Sequence, residues 1–134
     1  MMEWIDDNVA VGGRLDALLL GRLRANSIDL IIDARVFFDK DYGDKRPLLD
    51  KMMRAVDALI LLAERNERVL VRCNRGRDRS PFMAMVYISK RYGKSYREAY
   101  ELVLSKRPRT VYHWDWVERL EKEEARRPSS MGPK

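Results

Sequence analysis

The chain has 134 residues, a formal charge of +6 and charged side chains at 36% of its positions. At this length one domain buries roughly two thirds of its unfolded surface and needs no staple. The single cysteine excludes an internal disulfide, no apolar run approaches the ~20 residues of a membrane span, and Met1-Met2-Glu3-Trp4 opens no signal-peptide stretch, so a cytoplasmic monomer is expected. The positive balance suits acidic partners, among them phosphoproteins, inositol phosphates and nucleic acid, or else a solvated surface rich in both signs.

Trp4 to Gly13 predicts one or two short strands turning at Asp7-Asn8 and ending at the glycine pair, an edge hairpin. Leu15, Leu18, Leu19 and Leu23 recur at helical spacing through Asn26, with Arg22 and Arg24 outward. Ser27 to Asp33 is a second strand, apolar enough to be central. Arg35 to Arg46 is a polar loop containing Gly43. Pro47 suits a first helical turn, and Leu49, Met52, Met53, Val56, Leu59, Ile60 and Ala63 form the apolar stripe of a helix over 48–64.

A strand over Val69 to Arg72 follows, and Phe82 to Ile88 is apolar on nearly every side, as in a centrally buried helix that Tyr92-Gly93 ends. Ser95 and Glu98 make a capping box for a helix through Lys106. Arg107 to Thr110 is a turn whose basic pair either faces the mouth shared by Arg75 and Arg77 or is ordinary loop charge, the reading preferred here. The last helix starts near His113, with Trp116, Val117 and Leu120 inward, and 128–134 is a frayed tail. His113 has no second His or Cys beside it, so a capping or surface role is expected and a metal site is not. Gly93-Lys94-Ser95 imitates the end of a nucleotide-binding loop, but the first glycine of that motif would fall on Ile88 within a helix, which rejects an NTPase.

Chemistry concentrates between Val69 and Pro81. An aliphatic run leads into Cys73, and a Pro-headed apolar segment follows Arg79 and Ser80. That pattern is strand, loop, helix, with the thiol below a helix N-terminus that favours negative charge. Cys73 and Arg79 bracket five residues, enough to curl a loop around a tetrahedral dianion with its N–H groups inward. Asn74, Arg75, Gly76, Arg77, Asp78 and Arg79 are therefore the candidate phosphate-binding residues, with Gly76 relaxing the curl. Arg79 offers a planar fork for two phosphate oxygens. A thiol near ~8.5 falls to roughly 3.5–7.5 beside a helix N-terminus and cations, so Cys73 is the expected nucleophile. Ser80 is placed to donate to the sulfur as it leaves. The alternative for a lone Cys is burial as a small hydrophobe.

This arrangement resembles the Cys-x5-Arg protein tyrosine phosphatase superfamily, and Cys73-x-x-Gly76-x-x-Arg79-Ser80-Pro81 looks like its dual-specificity branch. Low-molecular-weight tyrosine phosphatases share the loop but carry it near the N-terminus. The resemblance implies an α/β fold of three layers, with a central, mostly parallel sheet of about four or five strands flanked by helices. It also implies one catalytic domain over 1–127 that works through a phosphocysteine intermediate with no cofactor and no metal. One departure is Arg72, where the family usually has a His that supports the thiolate.

The reaction needs a carboxylic acid to protonate the departing oxygen and later take a proton from water. The similar phosphatases carry it on a loop before the helix that precedes the Cys strand. Aligning helix 48–64 and that strand without gaps puts Asp41 on the acid position, ahead of Asp39 and Asp44. Tyr42 beside it either stacks on a phosphotyrosine ring or packs. Three functions follow. The first is hydrolysis of phosphotyrosine, extending to phosphoserine and phosphothreonine. The second is the same chemistry on a non-protein polyanion. Cys73-Asn74-Arg75-Gly76-Arg77 is similar to the branch acting on inositol pyrophosphates, and basic loops occur in relatives acting on phosphoinositides or RNA 5′-triphosphate ends. Arg77 would then contact substrate rather than pair with Asp78 or the acid loop. The third is a phosphate-binding module without turnover.

Overall fold

The computed structural model describes residues 1–39 and 46–126. The first two strands are joined by a turn that Asp6 organises. Its Oδ1 accepts the N–H groups of Asn8 and Val9, both at 2.8 Å, so β1 (Glu3–Trp4) returns antiparallel as β2 (Val9–Gly12). Only β1 is an edge of the expected hairpin. β2 is buried at every residue and continues the sheet on its other side.

The leucine-rich segment departs from its expected helix. It splits at Leu19, whose backbone is extended (φ −91°, ψ 102°), into α1 (Arg14–Leu18) and α2 (Leu20–Ala25). Leu15, Leu18, Leu19 and Leu20 lie 42–66% exposed, while the buried residue is Asp16. Its carboxylate accepts the Gly13 N–H at 3.0 Å and pairs with Arg22 at 3.1 Å. A charged group taken into the interior must be paired, and satisfying Asp16 fixes the helix rotation against the leucine stripe.

β3 (Leu30–Asp33) is also displaced from expectation. It pairs with β6 (Val69–Arg72) alone and lies at the edge, giving the order β1-β2-β6-β3, and Leu30 and Ile31 are exposed. An apolar run reports affinity for a covered face, not how many neighbours the strand will have. A 3₁₀ turn (Ala34–Phe37) leads to β4 (Phe38–Asp39), which pairs with β5 (Arg46–Pro47) in a separate ribbon. Pro47 thus sits opposite Phe38 in a strand, and α3 (Leu49–Glu64) begins after it.

β6 (Val69–Arg72) is buried along its whole length, as a strand with two parallel neighbours should be. Side chains alternate across a sheet. Val9, Val11, Val69 and Val71 join the main apolar cluster, whereas Ala10 and Leu70, equally buried, do not.

α4 (Arg79–Tyr92) is the central helix, buried from Arg79 through Ser89. Gly93 ends it at φ 67°, in the left-handed region. The capping box of Ser95 and Glu98 starts α5 (Tyr96–Lys106), and α6 (Trp114–Arg126) buries Trp116, Val117 and Leu120. Phe82 of α4 collects Phe38, Tyr100 and Trp116 around it at 5.2–6.3 Å, all edge-on. Mostly parallel strands between helices make an α/β fold. Among the described residues no helix is long and apolar enough to cross a membrane.

Candidate active site

Parallel pairing of β2 and β3 against β6 brings three chain segments to the carboxyl end of the sheet, just where Cys73 leaves β6. The thiol is 1% exposed yet stands outside the apolar cluster. Its Sγ lies 3.2 Å from Ser80 Oγ, which donates in turn toward the Gly12 carbonyl at 3.3 Å. Arg79 opens α4 with 7% exposure, and among the described residues its Nε finds no hydrogen-bond partner, with Asp78 at 3.9 Å.

The loop between them is pinned from outside. The Asn74 carbonyl accepts the Arg14 N–H at 2.9 Å and the Arg77 carbonyl accepts the Val111 N–H at 2.6 Å. Between these, Arg107 donates from Nε to Gly76 O at 2.5 Å and from Nη2 to Arg75 O at 3.4 Å. In a planar trans peptide the N–H points opposite to its carbonyl. Carbonyls drawn outward therefore turn the amides of Arg75, Gly76 and Arg77 inward, and among the described residues these donate to no protein acceptor. The result is an amide-lined concavity under a helix N-terminus, a geometry that suits an anion. Gly76 is required for it. Its φ is +66°, and a Cβ would stand 2.6 Å from Arg107 Nη2 and 2.7 Å from the Gly12 carbonyl carbon.

A family model for the catalytic domain of dual-specificity phosphatases matches residues 21–125. The chain belongs to the dual-specificity phosphatase family. Solved structures share its fold at low identity. A leucine-rich-repeat and phosphatase-domain protein from Entamoeba histolytica superposes with TM-score 0.79 at 17% identity, over 99% of this chain and 96% of that one. Human DUSP28 gives 0.73 at 17%, over 92% and 95%. PTPMT1 in complex with PI(5)P gives 0.73 at 17%, over 92% and 96%. No curated protein matches the chain.

Where dual-specificity phosphatases usually carry His before the cysteine, Arg72 is 7% exposed and stands opposite Asp33 in the β3–β6 register. Arg72 Nη1 donates to Asp33 at 3.1 Å. Arg35 grips the same carboxylate from Nε and Nη2 at 2.7–3.1 Å and reaches Asn74 Oδ1 at 3.0 Å. The Arg35 hydrogen bond, with the charges of Arg35 and Arg72, outweighs burial and holds the Asp33 carboxyl at about 2. Arg35 is raised chiefly by Asp33, and also by the charge of Cys73. The cation at position 72 is thus spent on Asp33, and Arg35 carries the positive field to the loop.

The expected loop residues divide. Arg75 and Arg77 are exposed, and among the described residues neither guanidinium makes a hydrogen bond or ion pair, with Asp78 or any other. Asn74 has its side-chain oxygen held by Arg35. Asp78 caps α4 by accepting the Arg79 N–H at 2.8 Å and sits 3.4 Å from His113 Nε2, so its carboxylate orients the helix end and Arg79. His113 stacks on Trp116 with ring centroids 3.6 Å apart, and its carbonyl caps α6. Asp41, Asp44 and Tyr42 lie outside the described residues, while Asp39 is half-buried in β4. Among the described residues no three His, Cys, Asp or Glu side chains gather to hold a metal ion.

Arg107 overturns the ordinary-loop reading. It is 3% exposed and also bonds the Met1 and Val11 carbonyls and the Glu3 carboxylate. No local pattern announces this, because its partners come from residues far off in the chain. Asp33 and Arg35 were missed for the same reason.

Proposed function

We propose that this phosphatase hydrolyses phosphate monoesters through a phosphocysteine, with phosphotyrosine as its first substrate class and phosphoserine and phosphothreonine as further ones. The inward amides of Arg75, Gly76 and Arg77, without an acceptor among the described residues and beside Cys73 and Arg79, carry the reading. Cys73 attacks phosphorus as the thiolate, and the P–O bond to the leaving group breaks. The fork of Arg79 and the loop amides hold the three equatorial oxygens while charge spreads over them. Asp41, as acid, gives its proton to the departing oxygen. Water then attacks the phosphorus, Asp41 takes a proton from it, and the P–S bond breaks as the Ser80 hydroxyl turns its proton from the Gly12 carbonyl to the sulfur. The catalytic domain covers 1–127.

The test is turnover of p-nitrophenyl phosphate by the unmodified protein and by Cys73→Ser. Turnover lost by about a thousandfold or more, with phosphate binding kept, supports the nucleophile. Turnover retained removes it. An unmodified protein that binds phosphate but never releases nitrophenol is the binding module instead. A second substrate class, non-protein polyanions, is favoured by the exposed guanidiniums of Arg75 and Arg77, which have no ion-pair partner among the described residues. Relative kcat/KM on phosphopeptides and on such polyanions separates the two.

A further inference from the structure

His113, the chain's single histidine, turns its ring toward the catalytic loop. Three contacts fix where that ring stands. The backbone N–H donates to the Tyr100 hydroxyl at 3.2 Å, the carbonyl accepts the Trp116 and Val117 N–H groups at 3.0 and 3.2 Å, and the ring lies within 10° of parallel on Trp116. This leaves Nε2 buried, without a hydrogen-bond partner among the described residues, and 3.4 Å from Asp78 Oδ2. A bare Nε2 would set its lone pair against a carboxylate oxygen, so the nitrogen facing Asp78 carries a proton.

Asp78 creates a conflict within the loop. Its Oδ1 accepts the Arg79 N–H at 2.8 Å and stands 3.9 Å from Arg79 Nε. A negative charge thus occupies the same helix N-terminus, and faces the same guanidinium, that a phosphate dianion uses. Like charges sharing a site repel unless one is offset. The groups around the imidazole show what offsets it. The loop presents Asp78 and, beyond it, Arg79. From α5 comes the Tyr100 hydroxyl, raised chiefly by burial and also by the charges of Asp78 and Asp115, and so neutral. From α6 come the Trp116 indole and Asp115, whose carboxylate lies 3.9 Å from Nδ1. Arg46 and Arg119 line the cavity bounded by Asp115 and Trp116. Of the two carboxylates Asp78 is nearer and, with its side chain 14% exposed against 75%, less screened by solvent. Imidazole is also the side chain that changes charge between about pH 5 and 8.

We infer that His113 is a positioning residue of the catalytic loop, pairing as the imidazolium with Asp78 Oδ2 so that Asp78 caps α4 and aligns Arg79 without opposing the bound dianion. The inference rests on the phosphatase reading above and makes pH a regulator of that same site. No proton passes between His113 and the substrate. When the imidazolium gives up its proton from Nδ1, the Nε2–H still faces Asp78 and the ring keeps its stack. Only the offsetting charge is lost, and affinity for a dianion falls as pH rises.

Tungstate, a tetrahedral dianion across this range, tests the pairing without turnover. In calorimetric titration the Cys73→Ser protein, which has no thiol to ionise, should bind tungstate about tenfold more tightly at about pH 5.5 than at about pH 8, the scale of one charge contact. Adding His113→Gln should leave the weaker affinity at both pH values. Adding Asp78→Asn keeps an acceptor for the Arg79 N–H, removes the charge to be offset, and should flatten the dependence as well. A purely structural role for the ring predicts a loss equal at both pH values. That result, no pH dependence in Cys73→Ser, or a dependence surviving either added substitution overturns the pairing, and should His113→Gln not fold, the Asp78→Asn arm decides alone. Failure of the phosphatase reading shows separately, as tungstate binding without p-nitrophenyl phosphate turnover by the unmodified protein.

Discussion

At the C-terminal end of α4, Asp6 accepts the Tyr87 hydroxyl at 2.6 Å, the Tyr92 hydroxyl at 2.7 Å, Arg91 at 3.1 Å and the N–H groups of Asn8 and Val9. At the N-terminal end, about 21 Å away along 14 residues, Arg79 Nε and the amides of Arg75, Gly76 and Arg77 have no acceptor among the described residues. Burial alone would raise Asp6, but its donors outweigh that and lower it, while Tyr87 is raised by burial and by Asp6. One end of the helix holds a carboxylate surrounded by donors. The other holds donors that its own carboxylate, Asp78, spent on the Arg79 N–H, leaves without a hydrogen bond among the described residues. Buried polar groups in a folded protein are normally paired, so the first end is where the fold is fastened and the second is where an anion is awaited.

Substitutions at the two ends should therefore separate activity from stability. Asp41→Ala should lower kcat on an alkyl or phenolic phosphate with a poor leaving group by about a hundredfold or more while affecting activated aryl phosphates far less. The same pattern from Asp39→Ala or Asp44→Ala would move the acid. Arg107→Ala should break the division, since it strips the loop carbonyls and leaves Glu3 without its partner. A loss of roughly 3–5 kcal/mol is expected in urea unfolding, together with a fall in kcat/KM that Arg107→Lys restores only in part. Asp6→Ala should cost about 1–3 kcal/mol by leaving the buried Tyr87 hydroxyl and the turn amides unpaired, with kcat/KM for p-nitrophenyl phosphate little changed. An equal loss of activity would show that the two ends are coupled through α4.

The smallest effect concerns pH. Asp33 is held at about 2 in the folded chain, below its ordinary 3.8, so its contribution is complete above about pH 4 and is lost as pH falls through about 2. The Tm advantage of the unmodified protein over Asp33→Asn should narrow across that window. A constant gap would assign the effect to geometry at Arg72 instead.

Features written within one element could be read from the sequence. The aliphatic run of β6, the apolar surface of α4, the stripe of α3 and the box at Ser95 and Glu98 each state their own environment, and the spacing of Cys73, Gly76, Arg79 and Ser80 states the loop. What escaped depends on who sits next to whom. Leu30 and Ile31 look central because composition does not say that β3 has a single neighbour. Asp16 was the one signal against the leucine stripe, a charge whose burial obliged the helix to turn. Asp33 opposite Arg72 is visible only once the register is known, and Arg107 only once Met1, Glu3, Val11 and Gly76 have been brought together.

Arg107 also ties the outermost strand to the catalytic loop. β1 is two residues long and paired on one side only, so it is the part of the sheet that frays most easily. Each time β1 lifts away, Glu3 and the Met1 carbonyl leave the guanidinium that holds Arg75 and Gly76 in place. Mild denaturant should then silence the enzyme while its helical circular dichroism is still intact, an inactivation step set by a marginal strand that bears no chemistry of its own.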